Sequence, residues 1–378
     1  MVELRRELHR HPELSGGESD TASRIAGRLD DLGIDHRRGV GGHGIVADIA
    51  GVEPGPSIAL RADIDALPIG EETGLPFASE IDGVMHACGH DGHAAILLGA
   101  AEMLVAGEPP PRPVRLLWQP AEERGSGARA MIDDGALEGV AMIFAGHVDR
   151  HHAAGTLVVT DGPVNAAADR FTVRFSGQQG HGARPHEALD AVVVGSLFVT
   201  ALQTIVSREV DPSHPSVVSV GTFHAGTAGN VIAGTADLEG TIRSQEVEVR
   251  SHLKDSVERI AMAVAQLHDA AVEIDVSRGI PPVVNTPEVT ALARRAAETA
   301  VGPAAVEALR TVNMGAEDFG VYLEEVPGCY IRYGGRIPGR EGFPAHSSRF
   351  DFDETALAAG AAWLTEVARV AGRHLAES

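Results

Sequence analysis

Apolar residues recur at helical spacing at Ala22, Ile25, Ala26, Leu29 and Leu32, and Gly33 follows where a helix C-cap belongs. Two short strand-like runs come next, over 44–49 and 57–63. The apolar run 94–106 predicts a helix, 114–119 a strand closed by Pro120, 127–134 a helix and 141–147 another apolar strand. Near-continuous apolar strands alternating with helices predict an α/β fold with a buried sheet.

The texture changes after Gly162. Polar and apolar residues alternate over 170–176, a long apolar helix is predicted over 190–206, and strands over 217–222 and 235–243. A helix over 247–267 and a strand over 272–277 complete a β-α-β-β-α-β order, that of a small split-βαβ domain. The segment 279–285, Gly-Ile-Pro-Pro-Val-Val-Asn, reads as a return hinge. The α/β texture then resumes, with a strand over 329–333 and a closing helix over 354–374. The expected organisation is an α/β domain of residues 1–163 and 279–378, interrupted by an α+β domain of residues 164–278.

Composition narrows the function classes. Of 378 residues, 53 are acidic and 31 basic, a net charge of −22, and aromatic residues make up only 4%. Such a chain lacks both the positive field and the stacking platforms of a nucleic-acid binder. Two cysteines, Cys88 and Cys329, form no disulfide framework and suit a reducing cytoplasm. The apolar runs 94–107 and 191–206 are interrupted by Glu102 and by Ser196, Thr200 and Gln203, so neither predicts a membrane span. The first twelve residues have no apolar core and do not read as a secretory signal.

The densest chemistry is His86-Ala-Cys-Gly-His-Asp-Gly-His93, placed just before a predicted helix. Thiolate, imidazole and carboxylate are the ligands of a divalent transition metal, and a turn at Gly89 would let Cys88 and His90 share one ion. The competing reading is a buried cysteine among histidines at a helix start. Beyond the strand ending at Gln119 stands Gln-Pro-Ala-Glu-Glu-Arg, where adjacent side chains diverge. One carboxylate can then bind metal while the other serves as a general base. Taken alone, Glu122-Glu123 would be a solvated loop. Position distinguishes the two readings: Asp63 ends one predicted strand, Glu122 and Glu123 follow another, and His147 ends a third. Ligands of open α/β sheets bind beyond such strand ends. His9, His11, His36, His43, His252, His268 and His374 are scattered and read as surface residues.

The runs Cys88-Gly-His-Asp-Gly-His93, Gln119-Pro-Ala-Glu-Glu123 and Arg61-Ala-Asp-Ile-Asp-Ala-Leu-Pro68 resemble the aminoacylase/hippurate-hydrolase family of metallo-amidohydrolases. Its relatives include carboxypeptidases and auxin-conjugate hydrolases. The likeness extends from Leu4-Arg-Arg-Glu-Leu-His-Arg-His-Pro-Glu-Leu14 to Ala345-His-Ser-Ser348. It implies a mixed-sheet, metallopeptidase-like catalytic domain with an inserted lid or dimerisation domain. It also implies two divalent metal ions per subunit, held by Cys88, His90, Glu123, His147 and His346. Cysteine and histidine favour zinc, while manganese, cobalt and nickel stay compatible.

By the same resemblance, Glu122 is the general base for a water held between the metals, and Asp63 supports the metal site. His181, in Gly180-His-Gly-Ala-Arg-Pro-His186, matches a histidine that donates to the developing oxyanion, in relatives often across a dimer interface. Asn230 and Arg243 match groups that bind the substrate carboxylate, although Arg243 also reads as an ordinary strand-surface charge. The implied reaction is hydrolysis of an N-acyl-amino acid or similar small amide by a cytoplasmic homodimer. Two segments depart from the family pattern, Val148-Asp-Arg-His-His152 and Gln178-Gln179, and they bear on substrate choice rather than on metal chemistry. Three alternatives stand beside this reading: a dipeptidase or aminopeptidase of the same architecture, a non-catalytic small-molecule binder, and a serine-type amidase. No Gly-x-Ser-x-Gly elbow supports the last.

Overall fold

The structure, a computed structural model, describes residues 1–378 except 312, 341 and 378. The chain divides into two compact units. The first comprises Met1–Val164, Val284–Thr311 and Asp318–Ser378. The second comprises Asn165–Val283 and a short stretch ending at Glu317. The sequence places that stretch in the first unit, so its membership of the second is a correction.

The first unit is built on an eight-stranded mixed sheet. At its centre Ser57–Asp63 runs parallel to Val114–Gln119 on one side and to Val140–Ala153 on the other, and Gly328–Arg336 continues the parallel set. Ser57–Asp63 is buried along its whole length, as a central parallel strand must be. The outer strands His36–Val40 and Gly44–Ile49 join antiparallel. The closing helix Thr355–Glu377 lies over the central strands and packs between His90–Ala106 and Pro287–Val301. Its buried Trp363 donates from Nε1 to Ala293 O at 3.0 Å, so even the indole N–H has a partner.

Two differences from the sequence expectation bear on the site. The strand predicted to end at 147, with a loop over 148–152, instead runs to Ala153. Its parallel neighbour supplies ladder partners that far, with Gly334 opposite Asp149 and Arg336 opposite Ala153. The helix predicted from 94 begins at His90 itself. Gly89 precedes it with φ 92°, and a Cβ there would stand 2.5 Å from Val148 Cγ2, so only glycine fits the turn between Cys88 and His90.

The second unit carries a four-stranded antiparallel sheet in the order Ser216–Ala225, Thr235–Ser244, Ala167–Ser176, Ala271–Ile280. Helices Ala191–Thr204 and Val247–Leu267 cover one face. Phe198 meets Phe171 and Phe175 edge-on there, at ring separations of 6.4 and 5.5 Å. The residues between, Arg170, Thr172 and Arg174, are exposed, as the alternation over 170–176 requires. With its continuation to Glu209, the first helix is apolar and long enough by composition to cross a bilayer, at mean hydropathy 1.6. This corrects the expectation that the run is too short and interrupted for a span. In the fold its inner side chains Val194, Phe198 and Leu202 are spent on the sheet.

Candidate metal centre and active site

The parallel strands deliver the site residues to one edge. Arg61 pairs with Ala145, so Asp63 and His147, two residues further along parallel strands, stand level. Val114–Gln119 ends beside them and hands the chain to Glu122 and Glu123. Donor atoms of Cys88, His90 and His147 lie within 4.8 Å of one another, as do those of Cys88, Glu123 and His346. Cys88 is common to both triads. Cys88 Sγ is 3.2 Å from His147 Nε2, and His346 Nε2 is 3.4 Å from Glu123 Oε1. His346 has φ 67°, an uncommon backbone for a non-glycine residue, and its N–H donates to Ala87 O at 2.8 Å.

The buried polar atoms show what this cluster suits. His90 Nε2 and Glu123 Oε1 are both buried with no hydrogen-bond partner among the described residues. They lie 3.9 Å apart, with Glu122 Oε2 4.0 Å from the same nitrogen. Buried polar atoms are ordinarily paired. A thiol, imidazoles and a carboxylate turned toward one another, with buried polar atoms left unpaired, fit a divalent cation. Cys88, His90, Glu123, His147 and His346 would hold such ions.

Carboxylates behind the cluster fix the rings. His90 Nδ1 donates to Asp65 Oδ1 at 3.1 Å, and the same Asp65 accepts from Ser15 Oγ at 2.7 Å and from Glu123 N–H at 3.0 Å. Asp63 Oδ1 lies further from His90 Nδ1, at 3.9 Å. Its oxygens are taken by His93 Nδ1 at 2.6 Å and Arg61 Nη1 at 2.7 Å. His93 Nε2 accepts from Val148 N–H at 2.9 Å, so both its nitrogens are committed within the fold. Arg61 also reaches Gln119 and Asp318, and Asp318 N–H approaches Glu122 Oε1 at 3.4 Å.

Burial works against charge on Asp63, but His90, His93 and Arg61 outweigh it and hold its carboxyl well below the usual range. Burial likewise opposes charge on His90, yet the neighbouring Asp63 and Asp65 push that ring upward. Burial and the nearby His93 depress His147, and burial pushes the Cys88 thiol up to about 12. A metal binding there would have to displace a thiol proton.

Asp65 and His93 carry these contacts; both stand inside motifs singled out in the sequence, which gives neither a role of its own. His93 stands three residues from His90 on one helix, hence on the same face. Asp65 lies just beyond a strand end, where alternation no longer fixes direction. His9, expected at the surface, is 1% exposed, with Nδ1 2.9 Å from Asp91 and Nε2 3.3 Å from Glu71. Arg5, one turn earlier, reaches the same Asp91 at 3.2 Å. That i,i+4 pair was the available signal. In the segment that departs from the family pattern, Arg150 donates to the carbonyls of Arg340 and Phe343, on the loop leading to His346.

The second unit holds the remaining candidates. Gly180–His181 pairs with Val231–Ile232, and Gly182 N–H donates to Asn230 O at 2.9 Å, so His181 and Asn230 are neighbours. His181 Nδ1 accepts from Ala183 N–H at 3.0 Å, which places the proton of a neutral, exposed ring on Nε2. Arg243, half-buried, donates to Met314 O at 3.0 Å, using one of its five N–H donors.

Residues 59–370 match the family model described as Peptidase family M20/M25/M40. The chain is similar to N-acetyl-L-cysteine deacetylase of Bacillus subtilis, at 40% identity over 370 residues, 98% of this chain and 87% of that protein. It is similar to thermostable carboxypeptidase 1 of Saccharolobus solfataricus, at 38% over 373 residues, 96% of this chain and 92% of that one. The crystal structure of a Bacillus subtilis protein described as a dinuclear metal binding peptidase from the M20 family aligns with TM-score 0.86. It is 34% identical and covers 98% of this chain and 97% of its own.

Proposed function

The chain belongs to peptidase family M20/M25/M40 and is a hydrolase, and on that footing we propose that it cleaves the amide bond of an N-acyl-amino acid or similar small amide, with Glu122 as general base. Two divalent cations, zinc or manganese, would sit on Cys88, His90, Glu123, His147 and His346. Bound there, they would supply Lewis-acid polarisation of the scissile carbonyl and acidify the attacking water.

The observation that carries this reading is that two adjacent carboxylates, both near His90 Nε2, have different further partners. Glu123 turns to His346 and Cys88, whereas Glu122 is approached by the Asp318 N–H and is only 9% exposed. Glu122 takes the proton of the attacking water and returns it to the departing nitrogen, so one residue serves as base and then as acid. Asp65 holds the His90 ring by its Nδ1–H and leaves Nε2 facing the carboxylates. For the second unit we propose the roles the resemblance implies. His181 would donate from Nε2 to the oxyanion, and Asn230 and Arg243 would bind a substrate carboxylate.

The names deacetylase and carboxypeptidase among the relatives support a substrate that ends in a free amino-acid carboxylate. A small peptide is therefore the second reading. The free, buried Cys88 and Cys329 suit a reducing cytoplasm. A homodimer would form through the second unit. Its edge strand Ser216–Ala225 has one strand neighbour among the described residues, and its Phe223 and the helix residues Val192, Val193 and Leu197 are each 37–45% exposed.

The test is amine release from a panel of N-acetyl- and N-benzoyl-amino acids and dipeptides, using cation-stripped protein with each metal restored in turn. Cleavage that returns with the metal supports the proposal. Cleavage that ignores a chelator contradicts it.

A further inference from the structure

Near the N-terminus the chain buries an acid that the reaction does not use. Glu18 is 0% exposed. Its Oε1 accepts from the N–H groups of Gly16 and Ala121, each at 2.9 Å, and its Oε2 is buried with no hydrogen-bond partner among the described residues. A buried carboxyl with one idle oxygen is costly to keep, so its location beside the active strand end is informative.

Ala121 is the residue immediately before Glu122, and its φ is 53°. That left-handed conformation disfavours an alanine by about tenfold in population and is natural to glycine. After Ala121 the chain closes on itself. Ser126 and Gly127 N–H donate to Ala121 O at 3.3 and 3.2 Å, and Gly125 N–H to Glu122 O at 2.7 Å. The 15–18 segment therefore grips this turn at both ends. Glu18 holds Ala121, and Ser15 bonds Asp65, which holds the Glu123 N–H.

We propose that Glu18 is a positioning residue that keeps Ala121 left-handed and thereby fixes where the Glu122 and Glu123 carboxylates stand. This rests on the roles given to those two carboxylates above. Strain at a functional turn persists only where the surroundings over-determine it. Here the Glu18 carboxylate supplies that constraint across 103 residues of chain.

The test compares wild type, Glu18→Ala, Ala121→Gly and the double variant, reading turnover and the rate at which bound Zn2+ passes to a chelator. Glu18→Ala should cut turnover and speed Zn2+ release, each by about tenfold, the population penalty of the unheld alanine. In the Ala121→Gly background the same change should cost less than about threefold, because glycine needs no clamp. An equal loss in both backgrounds, or no loss in either, overturns the proposal. If Glu18→Ala does not fold, Glu18→Gln keeps the Oε1 acceptor and should stay within about threefold of wild type. A tenfold loss with Gln overturns it too. Wild type that neither binds Zn2+ nor hydrolyses any amide would bring down the metal-centre reading itself. Intact wild type with an unaffected Glu18→Ala would remove only the role of Glu18.

Discussion

His90 donates through Nδ1 to Asp65 Oδ1 across 3.1 Å, and that one bond settles which nitrogen faces the carboxylates of Glu122 and Glu123. Asp65 in turn accepts from the Glu123 backbone, so the ring and the neighbouring turn share an anchor. Asp65→Asn keeps the shape but lets the ring choose its tautomer. Zn2+ affinity should fall by about ten- to a hundredfold, as loss of such outer partners does elsewhere. Competition against a calibrated chelator measures this; unchanged affinity would mean that His90 is held by other means.

The buried ring of His9 gives the first unit a pH-dependent stability. Burial opposes its charge, but Asp91 and Glu71 outweigh that and push it up to about 9. A raised folded value contributes stability fully present below the ordinary histidine pKa near 6.5 and lost as pH rises through about 9. The contribution is at most about 3 kcal/mol. His9→Gln should therefore be less stable than wild type at pH 6, and the gap should close by pH 9.5. Urea unfolding of cation-stripped protein, followed by tryptophan fluorescence, reads this unit because Trp118 and Trp363 both lie in it. A gap that widens with pH would exclude a charged His9.

In the second unit, Arg250 makes a two-bond fork with Asp169, both at 2.7 Å, and Asp169 is 0% exposed. Burial opposes the Asp169 charge, but the Arg250 guanidinium and the Gly279 N–H hold the carboxyl below its ordinary value. Arg250→Met leaves that carboxylate buried without its cation, a loss of about 3–5 kcal/mol. The loss should be present at pH 7 and shrink as pH falls below the ordinary aspartate range, where the carboxyl protonates. Circular dichroism is the probe, since the unit has no tryptophan. A stability unchanged at pH 7 would contradict it.

The exposed apolar strip of the same unit predicts its own outcome. Val193→Glu with Leu197→Glu places two charges on side chains that are 45% and 40% exposed. Sedimentation should show wild type at twice the chain mass and the double variant at the chain mass. A wild-type monomer would remove the homodimer.

Much of the fold was legible because periodicity reports burial. The alternation over 170–176 and the apolar run over 57–63 each became the strand they implied, one half-buried and one fully buried. Boundaries were less legible where a neighbour decides them. The strand through His147 continues to Ala153 because Gly328–Arg336 lies alongside. In the site, Cys88, His90 and Glu123 stood out by residue type and place, whereas His346 entered through family likeness alone. A single histidine in a loop carries no periodic signal, and its approach to Glu123 is made by the fold across more than 220 residues. His9 is hard to place for a similar reason: its partners Asp91 and Glu71 are remote in sequence, and its helical spacing from Arg5 is the one local sign.

The account turns on adjacent carboxylates doing different work, and Glu122→Gln measured for both metal content and turnover tests it most directly. Glutamine keeps the size and removes the base. The variant should bind two cations per chain, as wild type should, and lose about two to four powers of ten in turnover, the usual worth of a positioned general base. Turnover near the wild-type rate with both cations bound would contradict the assignment.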